Sequence, residues 1–78
     1  MKVRIREARK SFEDNHGYKM TQEKLAELSM PDSKSSLKSK MDILNRMQRG
    51  DYDHPSLDVI ERIAIICEVD FNFLFMSE

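Results

Sequence analysis

Residues 20–50 read MTQEKLAELSMPDSKSSLKSKMDILNRMQRG, two helix-forming runs joined by a polar connection. In the first run Thr21 is suited to be an N-cap, its hydroxyl able to accept a free backbone N–H, and Glu23 places negative charge in the first turn, where the helix dipole favours it. Leu25 and Leu28, with Ala26 between them, are expected to face a core, and Pro31 blocks continuation, so this helix should span about 21–29. In the second run Leu37, Met41, Leu44 and Met47 or Gln48 recur at helical spacing until Gly50 ends the helix. Its other sides carry Lys38, Lys40, Asp42, Asn45, Arg46 and Arg49, which makes it amphipathic with a basic outer side. A start between Ser33 and Ser36 is expected. A cap at Asp32 or Ser33 would lengthen the helix at its N-terminal end, whereas a coil here would leave Lys34 and Lys38 on a basic loop.

Upstream, Ile5, Ala8 and Phe12 form a stripe that predicts a helix over roughly 4–14, closed by Asn15 or Gly17. The stretch KVRIR alternates as a strand would but is too short to stand alone. Tyr18 and Met20 should pack the first helix onto the second. Downstream, DYDHPS is turn chemistry and Pro55 and Ser56 can start the next helix. There Leu57, Ile60, Ile63, Ala64 and Cys67 form one apolar stripe, with Val59 and Ile66 beside it. Asp70 can cap a last short helix, FNFLFM, whose Phe71, Leu74 and Phe75 would close the core. The expectation is an all-α, compact five-helix bundle, one domain over residues 1–78.

Seventy-eight residues restrict the chain to one small core. Cys67 is the only cysteine, which excludes an internal disulfide and fits a reducing compartment. No apolar run approaches the roughly 20 residues that cross a bilayer, so a cytoplasmic protein without membrane contact is expected. Neither His16 nor His54 has a partner at catalytic or metal-ligand spacing, and Gly17 and Gly50 alone cannot form a phosphate loop, so no enzyme, metal or cofactor is expected. The net charge of −1 conceals strong segregation: +4 over residues 1–10, −3 over 11–33, +4 over 34–49 and −6 over 51–78. Two basic blocks on an acidic background are where phosphate could dock.

The stretches MTQEKLAELS, ILNRMQRG and PSLDVIERIAIICEVDFNFLF together resemble the Cro/repressor type of helix-turn-helix domain, also called the lambda-repressor-like or XRE family, from Arg4 to Phe75. The resemblance implies that the helix ending in Arg49-Gly50 reads the major groove, about 12 Å wide, while the preceding helix crosses the backbone. It implies a phosphate contact from Gln22 and base contacts from Arg46 and Asp42, with Lys38 and Lys40 serving bases or phosphates and Asn45 and Arg49 gripping the backbone. Lys34 would add charge beside the phosphates. Three features depart from the family: MPDSKSS lengthens a turn that is usually about 3–4 residues, Gln48 stands where an acidic partner for Arg9 is usual, and Glu68 replaces a glycine after the fourth helix.

The implied function is a sequence-specific double-stranded DNA-binding transcriptional regulator of phage or mobile-element repressor type. It would act as a homodimer on a palindromic operator, with Ile65, Phe73, Phe75 and Met76 as candidate interface residues. Because the motif ends close to residue 78, control is expected through concentration, a partner or dimerisation. The alternatives are an antitoxin that also binds a toxin protein, and a protein-interaction module that docks a regulatory partner through its acidic half.

Overall fold

The computed structural model describes residues 2–75, in which four α-helices and one short 3-10 helix follow each other without a strand. They are α1 (Ile5–His16), α2 (Gln22–Ser29), α3 (Leu37–Arg49), α4 (Leu57–Cys67) and the 3-10 helix Phe71–Phe75. The all-helical architecture is as expected, but the fifth element is a 3-10 turn rather than an α-helix. Asp70 initiates it, accepting from Phe73 N through its carbonyl at 2.9 Å and from Asn72 N through its side chain at 3.0 Å.

Local chemistry sets the boundaries. Thr21, Ser36 and Ser56 are the N-caps of α2, α3 and α4, and each side chain accepts from the backbone N–H three residues on. Gly17 and Gly50 take left-handed conformations (φ 74° and 82°) that close α1 and α3. α4 ends on Glu68, also left-handed at φ 58°, where a side chain is strained and glycine is not. Its carboxylate meets the His16 ring, joining the ends of α4 and α1.

Val3, Leu25, Leu44, Ile60, Ile63, Cys67 and Leu74 are the centre of the core, each essentially inaccessible to water. Complete burial of a Leu or Ile side chain contributes about 1.5–3 kcal/mol relative to exposure. Ala26 is fully buried, as a small residue at a close approach between helices should be. The KVRIR segment does pair, although not with a strand: Val3 N donates to Met47 O (3.0 Å) and Arg4 N to Leu74 O (2.9 Å), pinning the N-terminus between the end of α3 and the 3-10 helix.

Three apolar side chains expected inside are exposed. Leu28 leaves the core to Ser29, whose hydroxyl donates back to Ala26 O at 3.4 Å and so can be buried without an orphaned donor. Leu57 begins α4 beyond the body of the bundle and Phe71 lies at the rim of the 3-10 helix. Tyr18 is exposed but does touch both of the first two helices, edge-on against Phe12 of α1 and under the Lys24 ammonium of α2, and Met20 beside it is buried.

Candidate nucleic-acid interface

α3 is 13 residues, or about 20 Å, long. Leu44 and Met47 are buried on one side, and Lys38, Asp42, Asn45, Arg46 and Arg49 are exposed on the other. Their spacing of three and four residues makes one continuous row along the helix. Lys40 does not join it. At 100° per residue it projects about 160° round the axis from Lys38 and about 120° from Arg46, and it is half-buried.

The row is ordered by its own charges. Arg46 Nε lies 3.4 Å from Asp42 Oδ2, one turn back. The Tyr52 hydroxyl, and after it the Asp42 carboxylate, raise the Arg46 pKa, so the guanidinium is fully charged. Arg49 Nε and Nη2 both donate to Asp51 Oδ2, at 3.0 and 2.9 Å. Each arginine is thus steered by an acid while remaining about half exposed: 51% for Arg46 and 59% for Arg49.

Gln22 joins α2 to this row. Because Thr21 is the cap, Gln22 is the first residue of α2, and its Nε2 donates to Asn45 Oδ1 at 2.6 Å and to Met41 O at 3.3 Å. The start of α2 is thereby latched to the middle of α3. This use of Oδ1 leaves the amide N–H groups of the exposed Asn45 available as donors.

The connection between α2 and α3 does not lengthen α3: Ser36, not Asp32 or Ser33, is the cap, so residues 30–36 are an extended turn. Met30 is buried and anchors it, Ser33 N donates to Met30 O at 3.3 Å, and the Ser33 hydroxyl accepts from Ser35 N at 3.2 Å. Asp32 reaches Arg62 of α4 at 3.9 Å. Lys34 is exposed on this turn, before the α3 row begins.

α1 contributes two arginines that were not among the residues expected at this face. Arg6 and Arg9 line a small cleft with Gln22, Asn45 and Gln48, floored by Ile5 and Leu44. Gln48 is not the partner of Arg9; its Oε1 accepts from the Arg6 backbone N–H at 2.7 Å, one of the donors that every helix start leaves free. Arg9 Nη1 makes a long bond to Met20 O (3.5 Å), and its buried Nε has no partner. The signal for these arginines was the +4 charge of residues 1–10.

Other chemistry has little support. Among the described residues no three His, Cys, Asp or Glu side chains converge as metal ligands, and no helix is long and apolar enough to cross a membrane. Burial pushes the Cys67 thiol pKa up to about 11, so it is a protonated core group rather than a nucleophile. Of the proposed interface residues, Ile65 is exposed, Phe73 and Phe75 are partly buried, and Met76 lies outside the described residues. The chain matches no family model, and neither a curated protein nor a solved structure shows significant similarity to it.

Proposed function

We propose that this chain is a sequence-specific double-stranded DNA-binding regulator of the lambda-repressor-like kind, with α3 as the reading helix. The observation that carries the proposal is the single exposed row Lys38, Asp42, Asn45, Arg46, Arg49, with Gln22 and the start of α2 latched beside it. A helix of this length fits the major groove, and a guanidinium held level with the groove floor can donate to guanine O6 and N7. Arg46 has this role. Asp42 aims it in the free protein and can accept from cytosine N4 in the complex. Gln22, the N–H groups of Asn45, Arg49 and Lys38 hold phosphates, and Arg6 and Arg9 extend that grip onto α1. Lys34 flanks the duplex from the turn. Lys40, half-buried, has no base to read.

One domain covers too few base pairs for genomic discrimination, so the regulator binds as a symmetric pair on a palindrome with half-sites about one helical turn apart. Selection from a random duplex pool tests this. Enrichment of paired, inverted half-sites at that spacing is expected, and a pool that stays random would overturn the reading.

A second reading is favoured by the apolar residues on the outside of α4, Leu57 and Ile65. On that reading the fold is an antitoxin or interaction module, and α4 docks a toxin or regulatory protein. Retention of such a protein by the Arg46→Ala variant, together with no selected DNA, would favour it.

A further inference from the structure

The outer face of α4 is chemically unlike the rest of the surface. Leu57 is 62% exposed and Ile65 is 69% exposed, the two most exposed large apolar side chains among the described residues. They are eight residues, or about 12 Å, apart on one stripe of the helix. Between them lie Asp58, Glu61 and Arg62, all exposed, and these line a shallow groove with Ile65. Arg62 has only a 3.9 Å contact to Asp32, which is itself 90% exposed, so its guanidinium is available to another partner.

The order apolar, acid, acid, base, apolar is self-complementary when one copy is reversed against another. We propose that α4 is a self-association surface on which two copies pair antiparallel about a two-fold axis at Glu61. Reversal about residue 61 places Leu57 against the partner's Ile65 and Ile65 against the partner's Leu57. Arg62 then comes level with the partner's Asp58 and Glu61, offset from each by about 3 Å or less along the axis. Arg62 thus bridges the repulsion between the two Glu61 carboxylates. A two-fold contact must use one patch against itself, and this face meets that condition.

The position suits the regulator. No backbone of α3 approaches α4 closely, because α2 packs against both. Pairing through α4 therefore leaves the α3 row open. A contact of three helical turns falls below the roughly 1,000 Å² of a stable interface, so the pair is weak in solution and is completed on a palindromic duplex. The proposal names the surface for the symmetric pairing put forward above. It is tested without DNA, so its failure and that of the DNA reading are distinguishable.

The test is disulfide trapping in a mixture of Leu57→Cys and Ile65→Cys chains, with circular dichroism to confirm that both fold. Antiparallel pairing brings residue 57 onto the partner's residue 65, while two copies of residue 57 stay about 12 Å apart, beyond disulfide reach. The mixture should cross-link at least about tenfold more than either variant alone. Adding Arg62→Glu to both chains should abolish the excess, and the full reversal Asp58→Arg, Glu61→Arg and Arg62→Glu should restore it, since inverting all three charges rebuilds the same complementarity with opposite signs. A mixture that cross-links no more than its components overturns the proposal and leaves α4 as a surface for a different protein. A full reversal that restores nothing overturns the register.

Discussion

α3 and α4 are built by the same rules and present opposite surfaces. Each starts on a serine cap, turns one side to the core through a fully buried Leu44 or Ile60, and ends in a left-handed residue. Their outer sides diverge: α3 shows a polar row with three cations, whereas α4 shows two large apolar groups with acids between them. The inner face is therefore what makes a helix part of this bundle, and the outer face is free to acquire function. Matched substitutions on the two helices separate these roles.

The largest effects should fall on the shared inner face. Leu44→Ala and Ile60→Ala each remove a fully buried side chain and should destabilise the fold by about 2–5 kcal/mol in urea melts. A small loss at only one of them would break the symmetry of the comparison. On the outer faces the effects should separate. Arg46→Ala should weaken binding to a selected duplex by about 1–3 kcal/mol and relax preference at one base pair, measured by fluorescence anisotropy against a panel of single-base variants. Ile65→Ala should leave that base preference intact.

Smaller effects sit at the helix ends. Gly50→Ala should lose about 1 kcal/mol because φ is 82°, whereas Glu68→Gly should gain up to about 1 kcal/mol by relieving a side chain at φ 58°, less whatever the His16 contact contributes. Thermal melts of the two variants should move in opposite directions. Ser36→Ala and Ser56→Ala should each cost about 0.5–1 kcal/mol, and Ser36→Ala alone should also weaken DNA binding by fraying the turn that carries Lys38.

Much of this was legible in the residues, and the misses have physical causes. Caps at Thr21 and Ser56 and the stop at Gly50 are chemistry that a short window contains. The start of α3 was harder because Asp32, Ser33 and Ser36 can all cap. The choice fell to Ser36, which starts the helix at Leu37, packed against the core. Leu28 misled because hydrophobicity outranks Ser29 until the bond from the Ser29 hydroxyl to Ala26 O is known. The site was partly visible: the exposed row on α3 follows from periodicity. The displacement of Lys40 needed the direction of the buried face, and the cleft of Arg6 and Arg9 needed the packing of α1 beside α2. Gln48 could not have been assigned from spacing, since its partner is a backbone N–H 42 residues away.

The claim on which the rest depends is that the outer row of α3 lies against a duplex. Its most direct test is the salt dependence of affinity for a selected duplex, compared between the wild type and Lys38→Ala. The logarithm of the binding constant should fall steeply with the logarithm of salt concentration, by about 0.9 for each phosphate neutralised, and Lys38→Ala should reduce that slope by about one. A flat response in the wild type, or a slope that Lys38→Ala does not alter, would contradict it.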